Sequence, residues 1–450
     1  MMAKFYSKLI KNNSLLKIVG FLKGIIQYSN LIRLFLKIYF FLRSRIVFFY
    51  QNTICYYLAS HFRLVFYPFK YIFDLLKIKF VFQVSEGTGH IISDVDYFLR
   101  LRHLDLIPKD FRYIFIRDSS HHLSKGFISV YKKYFYYSTN SSFFYNTLFP
   151  LLLAYPDLTI DCGLSRLKKS LPSKNCKGKM LTNVDLQLSK IGGYLQWLKY
   201  LSLRSTSSNY IPMSFGLFRS PDLDDYLDLR GRPLALVHIK TSVMNATAKI
   251  TDEKTYIPAL NFLKSKNYKL VMIGTEEMPN SFRKIGVLNY SKSSVHSFAN
   301  DLKLFQRSNI SLVSGSGVGW LADLMDKPIV YINFWHLSTP PYSKNCILVP
   351  ALVQKKKGRF LNFKEQLDLY MNMPDIGPEI FPFNLYNARN ASADEVLAAV
   401  KECIALSRKK SIKFNLLQIR YRNIDLKGYS AYIKSRISAF FVKKHKNLLN

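Results

Sequence analysis

The sequence predicts an α/β protein made of two domains with parallel sheets, and three observations carry that prediction. In residues 309–333 a short apolar run (310–313) leads into Ser-Gly-Ser-Gly-Val-Gly (314–319). A helical stretch (320–325) and a second apolar run (329–332) follow. Strand, glycine turn, helix, strand is the order of a βαβ unit in a parallel sheet. The same alternation occurs over residues 78–116 and again over 234–273. Finally, 450 residues exceed one ordinary core, and a 49% hydrophobic content suffices for more than one.

The formal charge of +36 narrows the partners to nucleic acid, an anionic membrane surface or anionic substrates. A lysine-, isoleucine- and phenylalanine-rich genome also inflates such a number, so the position of the charge decides more than its size. Residues 1–80 hold thirteen Lys or Arg against one acid, Asp74, interleaved with dense aromatic and aliphatic side chains. Lys17 and Lys23 interrupt the apolar region and argue against a secretory signal. The longest charge-free window, 46–62, contains Gln51, Asn52, Ser60 and His61, short of the roughly 20 mostly apolar residues of a spanning helix. Residues 1–80 therefore read as helices lying in the membrane interface, cations on lipid phosphates. The competing readings are a basic buried subdomain and a single span. The five cysteines (Cys55, Cys162, Cys176, Cys346, Cys403) are scattered and odd in number, which fits a reducing compartment and neither a disulfide framework nor structural zinc.

Residues 81–220 open with a strand at 78–84, a loop holding Gly87, Gly89 and His90, a helix over 91–104 and a strand at 111–116. Ligands of open parallel sheets bind beyond the carboxyl ends of strands. His90, Asp94 and Asp118 fall there, and a neutral imidazole suits general-base work. His121-His122 lacks a third ligand at metal-binding spacing, so no metal is expected. Residues 149–155 and 158–160 read as continuing the sheet, and 221–232 as the inter-domain connection. The second domain, 221–405, has strands at 234–239 and 268–273, helices at 255–264 and 297–306, and then the βαβ unit. Its carboxyl edge collects Lys240, Glu276, Gly315, Ser316 and Gly317. The spacing G-x-G-x-G departs from the dinucleotide fingerprint, so a nicotinamide cofactor is not indicated. Glycines let backbone N–H groups approach a phosphate, and Lys240 supplies the cation such a turn needs. His238 reads as structural. Ser392 and Glu395 form a capping box for a helix to about residue 406. The basic tail, 406–450, is expected to pack back on the first domain or on lipid.

Taken in order, these motifs resemble a group of bacterial glycosyltransferases of GT-B type found in surface-polysaccharide gene sets. The matching stretches are Gly89-His90 with the helix over 94–100, Val237-His238-Ile239-Lys240, Tyr256-Ile257-Pro258-Ala259, Ser316-Gly317 and Lys327-Pro328. Residues 347–349, Lys357-Gly358-Arg359-Phe360-Leu361 and Ser435-Arg436-Ile437-Ser438 with Phe440-Phe441 complete the set. The resemblance spans roughly residues 80–450 and implies two Rossmann-like domains facing a cleft. A nucleotide-sugar would sit in the second domain and a glycan or lipid-linked acceptor against the first, with no obligatory metal and no further cofactor. It implies that Lys240, Ser316 and Gly317 hold the diphosphate, Glu276 a sugar or ribose hydroxyl, and His90 the base role with Asp94 or Asp118 behind it. Localisation would be peripheral, on the cytoplasmic face of the membrane. Two departures stand out. Lys240-Thr241 replaces the family's Arg-Asp, and Met272 replaces an Arg before the Met-Gly pair, removing bidentate phosphate recognition at both places. The rivals are a GT-B-fold sugar-nucleotide epimerase and a basic nucleic-acid-binding protein; the latter is disfavoured because the densest basic region is also the most apolar.

Overall fold

The computed structural model describes residues 54–83, 88–117, 131–160, 200–210, 220–241, 250–335, 337, 340–372, 385–408, 413–424 and 432–450. Within them the chain is a mixed α/β protein whose two larger sheets are parallel throughout. The first holds β1 (Ile78–Gln83), β2 (Arg112–Arg117) and β3 (Tyr137–Asn140) in the order β1-β2-β3. Helix α3 (Thr88–His103) covers one face; α1 (Cys55–His61), α2 (Arg63–Leu75) and α4 (Ser142–Ala154) cover the other. Helix α3 begins three residues earlier than the sequence indicated, so His90 lies in its first turn. Residues 149–155, read as a strand, belong mostly to α4; only Thr159 continues the sheet, bridging to Phe80.

The second sheet contains β4 (Leu234–His238), β5 (Lys269–Met272), β6 (Leu288–Asn289), β7 (Ile310–Ser314), β8 (Ile329–Phe334), β9 (Cys346–Pro350) and the two-residue β12 (Arg436–Ile437). Their order is β12-β9-β8-β7-β4-β5-β6. The chain enters at β4, adds β5 and β6 on one side, then returns to add β7, β8 and β9 on the other. Both faces are buried, as such a sheet requires. Leu234 and Leu236 point into one core, Ala235 and Val237 into the other; Ile329 and Tyr331 alternate with Val330 and Ile332 in the same way. One face carries α6 (Ile257–Ser265), α11 (Ala393–Arg408) and α13 (Ala439–Lys444); the other carries α8 (Phe298–Arg307) and α9 (Gly319–Leu324). The shorter helices α5 (Pro221–Leu227), α7 (Asn280–Ile285), α10 (Phe363–Asn372) and α12 (Leu416–Arg422), and the hairpin of β10 (Leu352–Lys355) with β11 (Tyr386–Arg389), fill the remaining edges.

Local signals set several boundaries. Ser297 caps α8, its Oγ accepting from Asn300 N at 3.2 Å. At α11 the Glu395 carboxylate accepts from Ser392 N at 2.8 Å, the returning half of a capping box. One region departs from expectation. The tail, placed on the first domain or on lipid, instead adds β12 to the second sheet and α13 to α11. Residues 221–232, read as the inter-domain connection, hold α5, which buries Leu223 and Leu227.

The two sheets are joined by one continuous core. It runs from Val81, Ile92 and Phe115 of the first lobe to Leu236, Val313 and Leu321 of the second. Helix α3 packs directly on α9. Between them lies a helical turn, residues 200–206, whose polar groups are buried with their partners. Tyr200 donates to Asp96 Oδ2 at 2.6 Å, Arg100 Nε donates to the same oxygen at 2.8 Å, and Arg204 Nη1 pairs with Asp323 of α9. Asp323 accepts in turn from Ser343 N at 2.7 Å. Burial opposes the Arg204 charge, but Asp323 more than compensates and raises its pKa.

Candidate functional site

The strand order of the second sheet reverses between β4 and β7, and loops leaving those two strands must diverge to opposite faces. The carboxyl edge at such a reversal is where open α/β sheets bind ligands. Here that edge carries His238-Ile239-Lys240 at the end of β4 and residues 314–318 at the end of β7.

The two strand ends are tied together. Ser314 Oγ lies 3.2 Å from His238 Nδ1, and the Tyr256 hydroxyl donates to the His238 carbonyl at 3.4 Å. His238 is 3% exposed; burial, with help from the Lys240 charge, pushes its pKa down to about 3. A neutral imidazole at physiological pH follows, in a structural position. Gly274, at the carboxyl end of β5, has φ +98° and lies against the ring: a Cβ there would stand 2.6 Å from His238 Cδ2. Behind Lys240, its carbonyl accepts from Thr251 N at 2.8 Å.

The glycine corner is shaped by what lies beneath it. Gly315 N donates to Ile332 O at 3.1 Å, and a Cβ on Gly315 would stand 3.1 Å from Asn333 O. Gly319 faces the Tyr331 ring, where an added Cβ would come within 2.5 Å. Gly319 N, Trp320 N and Leu321 N donate to the carbonyls of Ser316, Gly317 and Val318. The first N–H groups of α9 are therefore used inside the turn, and α9 has only six residues, so its dipole contributes little. Among the described residues nothing accepts from the amides of Ser316, Gly317 and Val318, which are partly exposed. Asn333, at the end of β8, adopts φ +54° and is held on both sides. Its Nδ2 donates to Thr251 Oγ1 at 3.1 Å, and its Oδ1 accepts from Ala391 N at 2.6 Å. Strain at a strand end on the carboxyl edge of a sheet is a common mark of a functional site.

Of the sequence-derived residues, Lys240 and Gly315, Ser316 and Gly317 follow strand ends that pair side by side, His238 against Val313. Glu276 is partly buried on the same edge, beyond β5. His90 and Asp94 lie on α3, the helix packed against α9, but their side chains are outside what is described; Asp118 and His121-His122 lie outside the described residues altogether. Among the described residues no three His, Cys, Asp or Glu side chains group so as to hold a metal ion. Ser314, Thr251 and Asn333 have roles here that were not anticipated from sequence. A serine ending a largely apolar strand beside the glycine turn was the available signal for the first; Asn333 had none.

No family model matches the chain, and no curated protein matches it. Among solved structures it is similar to Escherichia coli ADP-heptose LPS heptosyltransferase II, at 12% identity over 74% of this chain and 100% of that one (TM-score 0.41). It is also similar to E. coli heptosyltransferase WaaC with ADP, at 10% identity over 61% of this chain and 91% of that one (TM-score 0.34). A Listeria monocytogenes protein assigned to the UDP-N-acetylglucosamine 2-epimerases aligns at 9% identity over 72% of this chain and 96% of that one (TM-score 0.34). At this distance no residue is carried across from any of them.

Proposed function

We propose that this chain is a glycosyltransferase that binds a nucleotide-sugar by its diphosphate at the carboxyl edge of β4 and β7 and transfers the sugar to a hydroxyl of a glycan acceptor. The observation that supports the reading is the adjacency, at the reversal of strand order, of the strand end leading to Lys240 with the amides of residues 316–318, from which nothing accepts among the described residues. Amides on a rigid corner, together with an ammonium, stabilise the charge that develops on a departing diphosphate. His238 and Asn333 support the reading indirectly: both are buried and fix the two loops that present these groups. The base is assigned on sequence grounds to His90, with Asp94 or Asp118 orienting it, and Glu276 to a sugar or ribose hydroxyl. The order of motifs over residues 80–450, which resembles the GT-B group, selects glycosyl transfer from the wider class of diphosphate chemistry, with two Rossmann-like lobes as its frame.

Titration calorimetry with a panel of nucleoside diphosphates tests the site. One charge-assisted contact is worth about 1.5–3 kcal/mol, so Lys240→Met weakens the best ligand about 10- to 150-fold. Unchanged affinity in that variant removes the site. Product analysis with and without an acceptor then separates transfer from epimerisation, since only transfer needs the acceptor.

A further inference from the structure

Helix α2 wears its apolar side outward. Lys70 and Asp74 pair with each other on the side facing the body, alongside the half-buried rings of Phe66 and Phe73. The opposite side presents Leu64 (86% exposed), Leu75 (70%), Val65, Tyr71 and Ile72, flanked by the exposed rings of Phe69 and of Tyr67, which also meets Tyr155. None of its residues is buried. A helix on a water-facing surface shows the reverse pattern. Contiguous exposed apolar surface of this kind marks an interaction site. Tyr57 of α1 adds a further exposed ring on the same lobe.

The charge of the sequence that leads into this lobe bears on what covers the face. The sequence leading into α1 carries Lys4, Lys8, Lys11, Lys17, Lys23, Arg33, Lys37, Arg43 and Arg45 and no carboxylate before Asp74. A protein partner would have to offer both an apolar groove and an acidic rim; an anionic bilayer offers both everywhere. Rings of Tyr and Phe favour the headgroup boundary, and cations near the surface are attracted to an anionic leaflet. Among the described residues no helix is long and apolar enough to cross a membrane. We propose that the outward face of α2 inserts into the headgroup–acyl boundary of an anionic bilayer, lying in its plane. This is independent of the diphosphate site.

The test uses the full chain and two vesicle types, phosphatidylcholine alone and phosphatidylcholine mixed with phosphatidylglycerol. Wild type is expected to float with the mixed vesicles. The variant Leu64→Ser/Tyr67→Ser/Phe69→Ser/Leu75→Ser, which keeps every cation, is expected to lose at least about tenfold in partitioning, since it removes the apolar area that leaves water on insertion. Its melting temperature should match wild type, because the four side chains are exposed. In Tyr67→Trp, the new emission, over the three native tryptophans, should shift blue on adding mixed vesicles and be quenched by brominated acyl chains. Three results overturn the proposal. The first is undiminished flotation of the quadruple variant, meaning the cations suffice. The second is an added emission in Tyr67→Trp that is already blue-shifted before any lipid is present, meaning the chain covers its own face. The third is a wild-type dimer that the quadruple variant dissolves, with no vesicle binding, meaning a second copy is the occupant.

Discussion

Helices α2 and α11 are both rich in apolar residues and dispose of them in opposite directions. In α11, Val396, Ala399, Val400, Cys403 and Ile404 recur at helical spacing and all lie against the second sheet. In α2 the apolar residues run almost all the way round, and its internal Lys70–Asp74 pair faces the body. Apolar content alone therefore does not say where a helix goes. The position of its few polar residues does, because a charge can be turned inward only where a partner waits for it. Among the described residues the second sheet is covered on both faces, whereas α2 leaves an apolar surface uncovered.

Four substitutions sharpen that contrast, beginning with the largest effect. Asp323→Ala leaves Arg204 charged, buried and unpaired at the junction of the lobes and should cost about 3–5 kcal/mol in denaturant unfolding. A cost below about 1 kcal/mol would mean the junction is wetter than the structure indicates. Ile404→Ala in α11 should cost about 2–5 kcal/mol, whereas Leu64→Ala in α2 should stay within about 0.5 kcal/mol in the absence of lipid. Equal costs would erase the distinction drawn between the two helices. Gly319→Ala forces a methyl into the Tyr331 ring and should destabilise by about 1–3 kcal/mol. Combining it with Tyr331→Leu should recover part of that loss, and strict additivity of the two changes would show that the contact is not the cause.

The smallest effect concerns pH. Burial works against ionisation of Glu395, but His445, the Ser392 amide and Arg389 outweigh it and hold its pKa at about 2. A depressed carboxyl contributes stability that is complete above its unfolded value, about 4.3, and fades as pH falls from there through 2. Glu395→Gln should flatten this part of the stability–pH curve; an unchanged slope would assign acid sensitivity elsewhere.

Most βα units were legible because their strands are short apolar runs bounded by glycine, proline or charge, as at 234–239 and 310–313. The glycine corner and Lys240 were legible because strand ends are predictable once strands are. What was hidden falls into two kinds. Helix α4 has no usable period: Phe143, Phe144, Leu148, Pro150 and Leu151 to Leu153 form a near-continuous apolar block that fits a buried strand equally well. Strands β6 and β12, two residues each, are too short to leave any pattern. The second kind is non-local. Arg204 and Asp323 stand 119 residues apart, and nothing near either one announces the other. The same holds for Asn333, whose partners Thr251 and Ala391 come from distant loops.

The place of β12 has a consequence for how the protein is made. The second sheet begins with an interior strand, β4, and receives an outermost one, β12, some two hundred residues later, after α11 and α12 have been synthesised. Until Arg436 and Ile437 emerge from the ribosome, the edge of β9 carries unpaired backbone groups along the all-apolar segment Cys346–Pro350. Such an edge is a template for pairing with other chains. Translation is thus the interval in which this protein is most prone to aggregate, and shielding by a chaperone matters most just before the last strand docks.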